Sequence, residues 1–286
     1  MNDPLLIQIE NSLERQSKGD RAISEYILKN YDKVGYMTVG DVSDAAGVSD
    51  ATVVRYARKM GCEGFPQLRQ ALQEAARSRM TIDERMRLSA ERIGGSDVLT
   101  VVMNNDIEMI RRTTEQADRE QFSSAVDALC AARHIYVVGT RSAAALASFM
   151  AHYLSMIFES VTIVDPSNES GLFEQMLHVG NEDVCIGISF PRYSKKALKA
   201  MRFATDCGAK RIAITDSESS PMAKYADYLL LAQSDMASIV DSLVAPFSLV
   251  NALLVAAADR RRSELTERFQ RLERIWDEYD VYEKTE

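Results

Sequence analysis

A chain of 286 residues with 46% hydrophobic and 27% charged side chains has the make-up of a globular protein with room for two domains. Its net charge of −8 argues against a nonspecific nucleic-acid coat, and the imbalance is uneven: residues 1–80 hold 11 basic and 11 acidic side chains, so the acidic excess lies in 81–286. Cys62, Cys130, Cys185 and Cys207 are far apart with no C-x-x-C pair, which argues against a metal site or a disulfide framework and for reduced thiols.

The N-terminus has no basic-then-apolar leader pattern, so a cytoplasmic protein is expected. Apolar residues recur at helical spacing through 4–30, which predicts two helices split near 17–20. Thr38 followed by Asp41 fits a capping box that opens a short helix, and Gly47 closes it. Ser49 caps the next helix, 50–60, which Gly61 ends. Two short helices joined by a glycine-containing turn form a helix-turn-helix arrangement. On the second helix Val53, Val54, Ala57 and Met60 are expected to face the core. Thr52, Arg55, Tyr56, Arg58 and Lys59 then form a basic polar face suited to phosphates and base edges. With Thr38, Ser49, Asp50 and Ala51 around the turn, these are the candidate DNA-contacting residues. A basic surface helix that never meets DNA has the same spacing.

Pro66 marks a further helix, and the Arg- and Glu-rich stretch that follows, closed by Gly94-Gly95, reads as a solvated linker. The expected organisation is a helical domain at 1–77, a linker at 78–96 and a second domain at 97–286. Two helices, 97–117 and 119–132, precede a change of periodicity. Short apolar runs then appear at 135–138, 161–164, 184–188, 211–215 and 228–231, with helical segments at 142–158, 169–178, 194–207 and 221–226 between them. Strands alternating with helices predict a doubly wound, five-stranded parallel sheet whose strands are buried on both faces. The longest apolar run, 243–258, is interrupted by Pro246, Ser248 and Asn251, so it reads as a core or interface helix rather than a membrane span.

In such a sheet, ligands collect beyond the carboxyl ends of the strands. Those ends are Gly139-Thr140-Arg141-Ser142, Asp165-Pro166-Ser167-Asn168, the segment 189–194, and Thr215-Asp216-Ser217. The third is the most informative. An apolar strand stops at a polar loop, and Ser194 caps the following helix, whose free N–H groups attract anions. Ser189, Arg192 and Ser194 add donors, which suggests the floor of a phosphate-binding pocket for a small anionic polyol.

The segment from Thr38 through Val42-Ser43-Asp44-Ala45-Ala46-Gly47-Val48-Ser49-Asp50-Ala51-Thr52-Val53-Val54-Arg55-Tyr56 to Gly61-Cys62-Glu63-Gly64-Phe65 resembles the N-terminal domain of RpiR-type transcriptional regulators. The α/β half is similar to the sugar isomerase (SIS) domain that those regulators carry. The resemblance implies a DNA-binding regulator whose SIS domain binds a phosphorylated sugar or sugar acid and dimerises. The implied fold is an all-α helix-turn-helix domain followed by a SIS-like α/β domain. The implied partners are operator DNA (an inverted repeat), that effector, and further copies of the chain as a homodimer or homotetramer. No cofactor, metal or membrane is expected.

Two SIS loop patterns are altered here. Gly-x-Gly-x-Ser becomes Gly139-Thr140-Arg141-Ser142-Ala143, and Ser-x-Ser-Gly-x-Thr becomes Ser189-Phe190-Pro191-Arg192-Tyr193-Ser194. Both loops lose a glycine and gain an arginine. The candidate ligand residues are Gly139, Thr140, Arg141, Ser142, Ser189, Phe190, Arg192, Tyr193, Ser194 and Asp216. The arginines either contact anionic groups of the ligand or pair with Asp165, Asp183 or Asp216; we favour ligand contact for at least one. A catalytic isomerase would need a base, for which His152, His178, Glu169 and Glu174 are candidates. No His/Glu constellation stands out and an isomerase has no use for a DNA-reading module, so a non-enzymatic regulator is expected. A SIS protein that grips another protein through its first domain is the remaining alternative.

Overall fold

The computed structural model describes residues 4–35, 37–77, 81–165, 168–235 and 240–283. The chain forms two compact units, Met1–Leu88 and Ser89–Glu286. The first is helical: α1 (Pro4–Ser12), α2 (Lys18–Val34), α3 (Val39–Ala46), α4 (Asp50–Lys59) and α5 (Phe65–Arg77). Leu6, Ile9, Ile23, Ile27, Val42, Val53, Tyr56, Leu68 and Leu72 meet in one apolar core. Where the sequence reads a solvated linker, Ile82–Ile93 form a helix, α6, across which the division between the units falls.

The second unit begins with α7 (Val98–Gln116) and α8 (Arg119–Ala131). Then follow β1 (Ile135–Gly139), α9 (Ser142–Ile157), β2 (Val161–Val164), α10 (Glu169–Gln175), β3 (Val184–Ile188), α11 (Lys195–Asp206), β4 (Lys210–Thr215) and β5 (Tyr228–Leu231). Two helices, α12 (Val244–Arg260) and α13 (Arg262–Glu278), follow. Only a 3-10 turn, Ala223–Tyr225, forms where the sequence suggested a helix over 221–226. All neighbouring strands are parallel, in the order β2-β1-β3-β4-β5.

Alternate residues of the central strands enter two cores. Ile135, Val137, Ile186, Ile188, Ile212 and Ile214 pack with α8, α9 and α12 on one face. Tyr136, Val138, Cys185 and Ala213 pack with α10 and α11 on the other. This is why those strands read as unbroken apolar runs. The run at 161–164 departs from that rule: β2 is an edge strand, and Ile163 is 44% exposed.

The N-terminal ends of the strands are held by a buried carboxylate. Asp183, with a fully buried side chain, accepts hydrogen bonds from Arg133 Nε (2.9 Å), Arg133 Nη2 (2.7 Å) and the Gly180 N–H (2.8 Å). Burial alone would raise this carboxyl, but the Arg133 and Gly180 donors outweigh it and hold it below the ordinary carboxylate range. A depressed carboxyl contributes stability above its unfolded pKa of about 4, and that stability is lost as pH falls through the folded value. Asp183→Asn should cost about 1.5–3 kcal/mol at neutral pH and flatten the acid limb of the stability profile. The chain's one tryptophan, Trp276 on α13, reports on this unit, so urea unfolding followed by its fluorescence at pH 7 and pH 4 checks the point. An equally steep acid loss in the variant would contradict it.

Candidate functional site

Strand order reverses direction of travel at β1 and β3: the chain moves to one side from β1 into β2, then returns across to β3 and continues through β4. The loops leaving the carboxyl ends of β1 and β3 therefore diverge and leave a crevice, the usual ligand seat of an open parallel sheet. A shallow cleft lies there, lined by Thr140, Arg141, Ser142 and Ala143 from one loop, by Ser189, Phe190, Pro191, Arg192 and Ser194 from the other, and by Asp241.

The first loop needs Gly139 for close approach. A Cβ there would stand 2.5 Å from the Ala143 carbonyl oxygen and 3.0 Å from Ala147 Cβ. Gly139 thus seats α9 against the end of β1, and it does not itself line the cleft. The chain then turns sharply: the Ala143 N–H donates to the Thr140 carbonyl at 3.1 Å, with Arg141 at φ 56° and ψ −125°. That is the first central position of a type II′ turn, which favours glycine. Arg192 has φ 70° in the second loop. Among the described residues, Arg141, Arg192 and Asp280 are the non-glycine residues in this half of φ space. The two arginines therefore occupy the positions where the SIS patterns carry glycine, and the loops keep the glycine-type backbone. Holding a non-glycine residue there costs on the order of 1–3 kcal/mol.

In the second loop Ser189 is 4% exposed, and its Oγ accepts the Ser194 N–H at 3.1 Å. Ser194 in turn caps α11, its Oγ accepting the Ala197 N–H. Loop and helix start are thus locked together, with hydroxyls and the positive end of the helix directed to one place.

Tyr193 and Asp216, also among the expected ligand residues, bond each other. The Tyr193 hydroxyl donates to Asp216 Oδ1 at 3.0 Å, and neither residue lines the cleft. Asp183 is taken by Arg133 at the opposite ends of the strands, and Asp216 by Tyr193. Neither the Arg141 nor the Arg192 guanidinium has a hydrogen bond or ion pair among the described residues. Asp241 was missed because it is contributed from beyond β5, and no local signal marks it. Pro166 and Ser167, and the side chain of Glu169, lie outside the described residues. Of the candidate bases, His152 and His178 are exposed, as is Glu174, and none lines the cleft.

The helical unit presents a second candidate surface. Thr38 and Asp41 form both halves of the capping box: the Thr38 N–H donates to Asp41 Oδ2 at 2.8 Å and the Asp41 N–H to Thr38 Oγ1 at 3.2 Å. Hydrogen bonds from Thr38 hold the Asp41 carboxyl below its ordinary value. Gly47 ends α3 at φ 66°, and Ser49 caps α4 through the Thr52 N–H. The Ser43 hydroxyl donates to Asp50 and ties the two helices together. Thr38, Ser49, Asp50, Ala51, Arg55, Arg58 and Lys59 are exposed, and Thr52 is half-buried.

Two residues of the expected basic face are otherwise engaged. Tyr56 is fully buried, its hydroxyl 2.6 Å from Ser24 Oγ, and burial pushes its phenol up to about 12. Lys59 reaches the buried Asp20 at 2.5 Å. Burial would raise the Asp20 carboxyl, but its hydrogen bonds with Lys59 and Ser17 lower it on balance. Tyr56 was misassigned because it is amphipathic: the core stripe of α4 is Val53, Tyr56, Ala57 and Met60, spaced i, i+3, i+4, i+7, with Val54 half-buried beside it. What remains outward is Ala51, Arg55 and Arg58 on one line, with Lys59 and the cap residues at its edges.

Over residues 4–79 the chain matches the helix-turn-helix domain of the rpiR family, and over residues 128–256 the SIS domain. It is 28% identical to an uncharacterized HTH-type transcriptional regulator of Haemophilus influenzae, across 79% of each chain. An RpiR transcription factor from Sphaerobacter thermophilus, solved as its sugar isomerase domain, is 31% identical over 60% of this chain and 96% of its own, with a TM-score of 0.58. The Vibrio vulnificus NanR protein complexed with ManNAc-6P shares the fold over 96% of this chain and 98% of its own, at 19% identity and a TM-score of 0.60.

Proposed function

The chain belongs to the RpiR family of helix-turn-helix transcriptional regulators and carries a SIS domain, and from that premise we propose that it reads operator DNA through α4 and senses a phosphorylated sugar-type effector in the cleft between β1 and β3. Its main support is the convergence of two polar loops at the point where the sheet's winding reverses, with Ser189, Ser194 and the N-terminus of α11 as phosphate donors. The sugar phosphate in the NanR complex is consistent with that assignment.

The protein acts as a regulator rather than an enzyme in this reading, in the cytoplasm, with the effector altering operator affinity. It does so as a homodimer or homotetramer built through the SIS unit. Val255 on α12 is 68% exposed, and Leu99, Met103 and Ile107 on α7 are more than half exposed, which suits contact with a second copy. Trp276 on α13 packs edge-on against Tyr282.

A thermal-shift panel tests the effector assignment. Phosphorylated sugars, ManNAc-6P and glucose-6-phosphate among them, should include at least one that raises the melting temperature, while the matching unphosphorylated sugar has no effect. Ser189→Ala should remove the response. Stabilisation by a free sugar as large as that by its phosphate would contradict the assignment.

A further inference from the structure

Both walls of the cleft are built alike. Each runs from a buried strand through an arginine with positive φ to a serine at a helix start: Arg141 and Ser142 at α9, Arg192 and Ser194 at α11. The proposed phosphate is accounted for by one wall, since Ser189, Ser194 and the N-terminus of α11 supply its donors. The other wall then presents a second guanidinium beside a second helix N-terminus, that of the 16-residue α9.

Two features make these arginines more than surface charges. Glycine would fit both backbone positions without strain, so arginine stands there against its conformational preference. Among the described residues neither guanidinium has a protein partner, and Asp241 is the one acid that lines the cleft. Both arginines are exposed, and two cations on the rim of one cleft repel each other unless a ligand brings matching charge. Guanidinium groups pair with planar or tetrahedral oxyanions through two parallel hydrogen bonds, which a neutral sugar hydroxyl cannot match.

We infer that the effector carries a second anionic group besides its phosphate, a carboxylate or another phosphate, held by Arg141 with Arg192 assisting. This rests on the proposed reading of the cleft as a phosphorylated-sugar site. Arg192 shares its loop with the phosphate donors, so Arg141 is the stronger discriminator between singly and doubly anionic ligands.

The test is calorimetry on the full-length protein with matched probes: glucose, mannose and galactose 6-phosphates, the aldonic acid phosphate of each, and the corresponding hexose bisphosphates. Arg141→Gly and Arg192→Gly are the informative variants. Glycine relieves the left-handed backbone, so their melting temperatures should not fall below that of the wild type. For the wild type, at least one doubly anionic probe should bind on the order of 10- to 150-fold more tightly than its monophosphate parent. Arg141→Gly should erase that preference while leaving monophosphate affinity within about threefold. The tighter of the acid and bisphosphate arms identifies the second anion.

Equal binding of a monophosphate and its doubly anionic counterparts by the wild type would overturn the inference while leaving the sugar-phosphate site intact. Equal weakening of both ligand classes in both variants would also overturn it, because the two arginines would then serve one phosphate. Binding of no phosphorylated probe at all would remove the site assignment itself.

Discussion

Tyr56→Ala is expected to unfold the helical unit without affecting the SIS unit. The ring is fully buried among Ile23, Ile27, Val42, Val53 and Leu68, and its hydroxyl bonds Ser24. Truncating a buried aromatic costs about 3–5 kcal/mol, which approaches the 5–15 kcal/mol that holds a typical domain together. Tyr56→Phe keeps the ring and leaves the buried Ser24 hydroxyl short of a partner, for roughly 1–3 kcal/mol. Hydrogen exchange resolves the units: protection in α2 through α5 should collapse in Tyr56→Ala while protection in β1, β3 and β4 persists. Wild-type protection in α4 of that variant would return Tyr56 to the surface and show that the core stripe was misread.

Arg55→Ala is expected to have the opposite signature, an intact fold with operator binding lost. Arg55 is exposed mid-helix on α4, on one line with Ala51 and Arg58, so its removal should change stability by no more than about 0.5 kcal/mol. A base or phosphate contact from arginine contributes about 1–3 kcal/mol, so affinity should fall about 5- to 150-fold in a gel-shift titration. Ligand-induced thermal shifts should be unchanged. DNA affinity within about twofold of the wild type would rule Arg55 out as a reading residue. Lys59 should matter less, because Asp20 already holds its ammonium group.

Much of the fold was legible because local signals agree with the tertiary arrangement. Central strands sandwiched between helix layers become plain apolar runs, and caps such as Thr38 with Asp41, and Ser49, act within four residues. What failed depended on long-range context. Ile163 is apolar yet partly exposed, because β2 has a neighbour on one side alone. Tyr56 suits a core and a groove equally well by composition, and its burial is settled by Ser24 and the helices packed around it. Tyr193 and Asp216 sit on strand-end loops as expected, but their mutual hydrogen bond turns them to each other. The two arginine exchanges were visible as substitutions. Their left-handed backbone was not, since φ at an arginine is set by the turn that the surrounding elements enforce. Asp241 enters the cleft from about a hundred residues beyond Arg141 in the chain, a distance no motif spans.

Fluorescence anisotropy on duplexes selected by the full-length protein from a random library, repeated with the phosphorylated sugar that gives the largest thermal shift, tests the account most directly. The expected result is enrichment of a short inverted repeat, affinity that falls steeply with salt, and a further change in affinity when the sugar phosphate is added. Arg55→Ala should abolish the first of these, and Ser189→Ala the last. An unenriched library, or operator affinity that no phosphorylated sugar alters, would contradict a regulator that couples its α4 surface to its SIS cleft.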